Sequence, residues 1–497
     1  MNDLPIHAEL ERVRAQGAAV LVVGLGISGL ETLRFLRGRG IRALGVDKAL
    51  RDKHAVKQDF AARAKAVEAL GAELHFGTDG EDIMPLLRDA ALAVLSPGVS
   101  LESAVVGVLR RESVPVISEL ELGIELLGVP CIVVTGSNGK STTVSLLEHI
   151  LNSCGEQAWA CGNIGTPVIS YVERLVHEGA PRWLVVEASS YQLEGCMRLR
   201  PKAGLFLNLS ENHLERHGSF ERYFRAKAKL FAHQEGSDLA VANHDDAKGR
   251  EVLKAARARV ASFGMQDMRS SRLCAYVRSR EEVLYRNDQL EQPISLRNLK
   301  LIGVHNRANI AAAAATLCSL GMPTESFSQA LPAFKPLEHR LEFLARSVGM
   351  PLVVNDSKST TVAASIAAFE AIRDAFPDSP VHLMLGGLAK AGSWDPLMRL
   401  IERHAASVRQ VVCFGADRSL IANYCRTYRI PHVLAPQVAA AIESSLRSAQ
   451  AGEIVLFSPG CASFDEFTDF EHRGTVFKSL ISEFAVRVPS LHPVTPP

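Results

Sequence analysis

The octet Thr135-Gly136-Ser137-Asn138-Gly139-Lys140-Ser141-Thr142 carries the sharpest chemical signal in the chain. It stands between an apolar run, CIVV, and a helical pattern that ends near Cys154, with Gly155 as its stop. A glycine turn from strand into helix points backbone N–H groups at one spot and places the positive end of the helix there, which cradles phosphates. Lys140 then reaches β- and γ-phosphate oxygens, and the Ser141 hydroxyl holds Mg²⁺. The strict phosphate-loop pattern asks for glycine six residues before the lysine. Val134 stands there instead, so the loop is a variant of the form G-x-x-G-K-S-T. A second glycine turn, Gly24-Leu25-Gly26-Ile27-Ser28-Gly29, follows the apolar run AAVLVV, and Asp47 ends the next strand. Alone it reads as a dinucleotide site. Physics requires only an anion at the helix N-terminus. Another phosphorylated ligand, or a tight turn that serves packing alone, therefore stays open.

Further candidates stand at strand ends. Glu187 closes WLVVE, 47 residues after Lys140, where a carboxylate suits a metal ion or a helix start. His213 follows the strand AGLFLNLS; Lys227 and Lys229 sit in a charge-rich helix and by spacing alone are solvated lysines. Asn306 and Asn309 are one turn apart and able to face one ligand, while Asn306 is equally suited to capping. Beyond residue 336, LEHR, NDSKST, GGLAK and SPGCASFDEFTDFEHRG each end an apolar run, supplying Arg340, Asp356, Lys358, Lys390 and Ser463. Basic groups and hydroxyls gathered there suit an anionic substrate.

These side chains need a scaffold of strands alternating with helices. Apolar runs recur at 18–23, 41–47, 130–136, 183–189, 203–210, 238–244, 351–356, 381–387, 410–415 and 453–460. Continuous rather than alternating apolar runs, separated by helical patterns, predict doubly wound parallel sheets. The stretch 265–300 is irregular and polar, either short β-hairpins or an insertion, and the Pro-rich end VPSLHPVTPP is expected to fray. At 497 residues the chain is too long for one ordinary domain. We expect three α/β domains: 1–127 and 337–497, both Rossmann-like, and a central 128–336 built as a phosphate-loop ATPase. Fifty-five basic residues against 54 acidic leave a net charge of +1, too little to neutralise a nucleic-acid backbone. No apolar run approaches the length of a spanning helix, and the start shows no signal-peptide pattern. The nine scattered cysteines form no CxxC pair, which points to free thiols in a reducing cytosol.

Taken in order, GLGISG, SPG (96–98), TGSNGKST, GNIG (162–165), EASSYQLE, HLERHGSFERY, GVHNRAN, LEHR, NDSKST, GG-x-x-K and SPGCASFDEFTDFEHRG resemble the Mur ligases, in the branch that adds glutamate to UDP-N-acetylmuramoyl-L-alanine. The resemblance implies an ATP-dependent ligase of peptidoglycan precursor synthesis that works through an acyl phosphate. It also explains a GxGxxG turn without NAD, as a site for the UDP of the substrate. Gly26, Ile27, Ser28, Gly29, Asp47 and Ser96 match that site. By the same resemblance ATP lies on Gly136, Ser137, Asn138, Gly139, Lys140, Ser141 and Thr142, with Asn306, Asn309, Arg340 and Asp356 also meeting the nucleotide. Lys140, Glu187, His213 and Lys227 match the catalytic set. Ser141 and Glu187 would hold one Mg²⁺; His213 and a carbamylated Lys227 would hold a second. Asn163 matches a substrate contact, and Lys358, Thr360, Lys390, Ser463 and Phe470 match the glutamate side. The implied partners are the UDP-substrate and glutamate, with no nucleic acid and no membrane insertion, for a cytoplasmic monomer. Three positions depart from the pattern: Asn212-His213-Leu214-Glu215 replaces the usual Asp-His-x-Asp, Ala391 replaces a glycine, and Thr361 replaces a common asparagine. Two other classes compete. An NAD-dependent dehydrogenase would leave the phosphate loop unexplained, and a non-catalytic nucleotide switch would bind ATP without releasing phosphate in response to an amino acid.

Overall fold

The computed structural model describes residues 5–54, 60–210, 214–269, 271–344, 346–347, 349–487 and 493–494. Three sheets organise the chain. The first contains β1 (Ala19–Val23), β2 (Arg42–Asp47), β3 (Glu73–Phe76), β4 (Ala90–Leu95) and β5 (Val116–Ser118), all parallel, in the order β3-β2-β1-β4-β5. Every residue of β1 is buried, which is why its sequence is a continuous apolar run. Strand order reverses at β1, so the crevice between β1 and β4 opens where the glycine turn leaves β1.

The central sheet contains β6 (Cys131–Thr135), β7 (Ala158–Gly162), β8 (Trp183–Glu187), β9 (Ala203–Phe206), β10 (Leu239–Asn243), β11 (Arg259–Gly264), β12 (Cys274–Ser279), β13 (Glu282–Arg286) and β14 (Glu291–Ser295). Their order is β14-β13-β12-β11-β10-β9-β6-β8-β7. The irregular polar stretch is therefore a pair of antiparallel hairpins that extends this sheet. β6 lies between β9 and β8, and the phosphate loop leaves its C-terminal end. One apolar core joins the two sheets, taking Val20 and Val94 from the first and Val133, Leu184 and Ala240 from the second.

The third sheet contains β15 (Glu342–Phe343), β17 (Leu352–Asn355), β18 (Val381–Gly386), β19 (Val408–Phe414), β20 (His432–Leu434) and β21 (Ile454–Gly460). The two-residue β16 (Arg346–Ser347) pairs separately with β22 (Pro493–Val494). The order β15-β17-β21-β18-β19-β20 places the ends of β17, β21 and β18 side by side. Alternate residues of β18 feed opposite cores, Leu383 and Leu385 one face and Met384 the other, so helices cover both sides.

Two compact units result: Met1–Arg297 with Ala308–Pro332, and Asn298–Arg307 with Ala333–Pro497. All nine cysteines are free thiols. Among the described residues no helix is long and apolar enough to cross a membrane.

Candidate active site

The helix Lys140–Ser153 starts at the phosphate loop, so its first N–H groups face the turn. Gly139 caps it in the left-handed conformation (φ 84°), and a Cβ there would come 2.5 Å from Oδ1 of Asn309. Both conditions require glycine. Asn309 thus packs on the loop, inside the same unit. Lys140 donates through Nζ to the carbonyls of Gly136 and Ser137, each at 3.0 Å. The far side of the loop is tied to the segment after β9. Asn138 donates its backbone N–H to Oδ1 of Asn208 at 2.9 Å, and Asn208 returns a bond to the Asn138 carbonyl. The Ser137 hydroxyl lies 3.1 Å from the Tyr223 hydroxyl. Asn208 and Tyr223 were not among the expected site residues. The one signal for Asn208 was its place at the end of a strand neighbouring β6.

Register places Glu187 opposite Val134 on one side and Gly162 on the other, directly beside the loop. A Cβ at Gly162 would come 2.3 Å from the Glu187 carbonyl, so glycine lets the next residue close in. Asn163 then donates through Nδ2 to Oε1 of Glu187 at 2.8 Å. Oε2 of Glu187 is buried without a hydrogen-bond partner. An orphaned buried carboxylate oxygen is costly unless a cation meets it, so the site fits a hard metal ion. Ser141 stands in the first turn of the neighbouring helix. His213 lies outside the described residues. Among the described ones, no three His, Cys, Asp or Glu side chains gather as a metal cage.

Lys227 is 2 % exposed, and its amine donates to the Gly136 carbonyl at 2.9 Å and to Oγ1 of Thr135 at 3.3 Å. Burial, and then the neighbouring charge of Lys140, push it down to about 6, with Glu187 opposing. It is therefore a neutral amine at pH 7. Lys229 points elsewhere, donating to the backbone carbonyl of Glu194.

A cleft of about 660 Å³ runs through this first unit. It is lined by Gly26, Ile27, Ser28, Asp47 and Ser96 beside the first sheet and by Asn163, Gln192 and Arg216 from the segments of the second. The glycines of the turn divide the work. A Cβ at Gly29 would come 2.0 Å from the Gly24 carbonyl, so Gly29 serves packing, whereas nothing lies within 4 Å of a Cβ at Gly26. Asp47 accepts the Leu25 N–H at 2.7 Å and the Ala49 N–H at 2.8 Å, and Ser96 donates to the Gly24 carbonyl at 2.6 Å. Arg216 was missed by sequence reasoning. It donates to the Gly98 carbonyl at 2.8 Å with its guanidinium 4.6 Å above the Tyr191 ring.

The second unit brings its candidates to the ends of β17, β18 and β21. Arg340 is flanked by two left-handed residues, His339 (φ 62°) and Leu341 (φ 45°). Such strain persists only when surroundings enforce it. His339 is buried with Nδ1 2.9 Å from Nδ2 of Asn355, and Leu341 donates its N–H to Oδ1 of Asp356 at 3.2 Å. Burial pushes Asp356 up to about 7, against the opposing Ser458 hydroxyl, Leu341 N–H and Arg340 charge. Lys358 holds its ammonium 3.5 Å from the Phe470 ring centre. Ser463 is buried, Thr360 is half-buried, and Lys390 and Ala391 are exposed. Thr361 caps the helix Val362–Ala375 by accepting the Ala364 N–H, which accounts for threonine at that departure. Asn306 belongs to this unit and Asn309 to the other. The helix begins at Val304, so Asn306 lies inside its first turn and donates to the Ile302 carbonyl at 2.6 Å.

The Mur ligase MurD-like, N-terminal domain matches residues 18–118; the Mur ligase middle domain matches 134–317; and the Mur ligase, glutamate ligase domain matches 339–461. The UDP-N-acetylmuramoylalanine--D-glutamate ligase of Acidobacterium capsulatum is 37% identical over 472 residues, 94% of this chain and 96% of that one. The protein of the same name from Koribacter versatilis is 34% identical over 471 residues, 95% of this chain and 98% of that one. The fold is shared with the UDP-N-acetylmuramate-alanine ligase of Thermotoga maritima, at a TM-score of 0.58 and 17% identity, covering 94% of this chain and 100% of the other. Full-length similarity of this kind, on a site with this phosphate loop and buried carboxylate, shows that the chain belongs to the Mur ligase family.

Proposed function

We propose that this chain joins D-glutamate to UDP-N-acetylmuramoyl-L-alanine at the expense of ATP, as a cytoplasmic monomer in peptidoglycan precursor synthesis, the pathway that sets cell shape and permits division. The relatives carry that activity in their name, and the D hand comes from it alone. The observation that carries the reading is the cleft. Its lining includes both a glycine turn suited to a pyrophosphate and Asn163, which is bonded to Glu187 beside the phosphate loop. A UDP-substrate lying along it would deliver its far-end carboxylate to the γ-phosphate of ATP.

In this reading residues 1–127 bind the UDP-substrate, 128–336 bind ATP and 337–497 bind glutamate. Gly136, Ser137, Asn138, Gly139 and Thr142 cradle the phosphates, and Lys140 shifts from the loop carbonyls to the transferring phosphoryl group. Asn309 supports the loop, while Asn306, Arg340 and Asp356 meet the nucleotide. Ser141 and Glu187 would hold one Mg²⁺, and His213 with the Lys227 carbamate a second; bound there, Mg²⁺ would supply positive charge against the phosphate oxygens. The orphaned Glu187 oxygen supports the first of these sites. Lys227 supports the second, because its neutral amine is the form that adds CO₂ from solution. The nitrogen lone pair forms the new C–N bond and a proton leaves to water.

The substrate carboxylate attacks the γ-phosphorus and ADP leaves, giving an acyl phosphate. The glutamate amine, oriented by Lys358, Thr360, Lys390, Ser463 and Phe470, attacks the acyl carbon. The C–N bond forms, phosphate departs with the C–O electrons, and the amine's proton passes to solvent. Phosphate release by the purified protein, given ATP, Mg²⁺, UDP-N-acetylmuramoyl-L-alanine and a panel of D- and L-amino acids, tests the assignment. Release with D-glutamate alone is expected. Release with another amino acid, or none with any, would overturn it.

A further inference from the structure

Arg473 is a buried charge that the chemistry above does not use. It is 1 % exposed, one turn into the helix Phe470–Arg487. Burying a guanidinium is costly unless its donors are met. Here they are met by neutral oxygens. Nε donates to the Ser357 hydroxyl at 3.0 Å, Nη2 to the Ser357 carbonyl at 2.8 Å and Nη1 to the Cys461 carbonyl at 3.0 Å. Burial pulls it down to about 10, so it stays charged at pH 7. The third neighbouring loop closes on it as well, since a Cβ at Gly387 would come 3.3 Å from Nη1. One side chain thus ties together the loops after β17 and β21 and packs against the loop after β18.

The ties lead to the candidate glutamate groups. Ser357 precedes Lys358, and its hydroxyl donates to the Phe470 carbonyl at 2.9 Å, while the Phe470 ring holds the Lys358 ammonium. Cys461 stands two residues before the buried Ser463. Lysine at 473 would offer one nitrogen where arginine offers three in a fixed fork.

Resting on the reading of the second unit as the amino-acid site, we propose that Arg473 is a positioning residue: it fixes the spacing between Lys358 and Ser463, and thereby the fit for a dicarboxylate amino acid. It touches no substrate itself.

The test uses the full chain. Arg473→Lys is expected to raise KM for glutamate about tenfold or more, with KM for ATP and the UDP-substrate changed less than about threefold, because uniform binding of one substrate is what the loops control. Ser357→Ala keeps the arginine and removes one acceptor; it should shift the same constant in the same direction, less far. Lys358→Ala and Ser463→Ala report on the underlying reading. If they raise KM for glutamate while a folded Arg473→Lys and Ser357→Ala do not, the positioning role is wrong and the site stands. If neither Lys358→Ala nor Ser463→Ala moves that constant, the site and the positioning role fall together. A loss spread equally over all three substrates in Arg473→Lys and Ser357→Ala would mark a merely structural arginine and overturn the proposal.

Discussion

Two turns of this molecule share one grammar, a buried parallel strand, a glycine loop and a helix, yet do different work. In Gly24–Gly29 the loop is closed by its own neighbours. Gly29 sits against the Gly24 carbonyl, Ser96 bonds that same carbonyl and Asp47 accepts the Leu25 N–H. Only Gly26 faces open space. In Gly136–Gly139 the loop is tied at its edges by Asn208, Tyr223 and Asn309, and the side-chain nitrogens of Lys140 and Lys227 converge on the Gly136 carbonyl. A glycine pattern alone therefore reports a close approach of backbone. The charged residues around it report whether a phosphate is bound passively or transferred.

The largest effect should come at the second turn. Lys140→Ala is expected to slow turnover about 30- to 1,000-fold, about 2–4 kcal/mol of barrier, while thermal unfolding stays near that of the parent, since in the proposed reaction the lysine neutralises charge on the transferring phosphoryl group. Near-normal turnover would remove the functional half of the comparison.

Lys227→Ala should be nearly inactive and partly restored by acetate, whereas Lys229→Ala, whose amine only holds the Glu194 carbonyl, should stay active. Stripping dissolved CO₂ should slow the parent enzyme and leave Lys227→Ala unchanged. The group also has a stability signature. Its folded value is near 6 and its ordinary value 10.5, so between them the unfolded chain binds the extra proton. Its contribution to stability must rise with pH across that window. Lys227→Met should flatten that slope in pH-dependent denaturation; an unchanged slope would count against a neutral buried amine.

The first turn yields smaller and separable effects. Gly29→Ala places a methyl against backbone and should cost about 2 kcal/mol of stability by overpacking. Asp47→Ala removes the acceptor of two backbone N–H groups, and should weaken UDP-substrate binding by about 1–2 kcal/mol with ATP binding intact, read by calorimetry. Gly26→Ala should change stability by less than about 0.5 kcal/mol and raise KM only for the UDP-substrate. If Gly26→Ala binds that substrate normally, the first turn serves packing alone.

The sequence already displayed the parts governed by local rules. Buried parallel strands such as AVLVV and CIVVT announce themselves as continuous apolar runs, and the strand-end positions of Glu187 and Asp47 follow from them. The missed pieces have mixed burial or depend on distant partners. β7, AWACG, is only partly buried and its bland composition resembles a loop. β5 is three residues long. Arg216 and Arg473 look like two among many surface arginines until the fold closes around them. Spacing suits Asn306 to capping, but the helix starts two residues earlier because Gly303, at φ 98°, makes the turn. The extent of the shared core between the first two sheets was also invisible, since it rests on contacts far apart in sequence.

In the proposed reaction one cleft carries the substrate carboxylate to the phosphate loop. Labelling that carboxylate of UDP-N-acetylmuramoyl-L-alanine with ¹⁸O and analysing the released phosphate by mass spectrometry tests it directly. One labelled oxygen is expected to move from the carboxylate into phosphate, because the acyl phosphate forms through that oxygen and breaks at the acyl carbon. Unlabelled phosphate released alongside the amide product would contradict it.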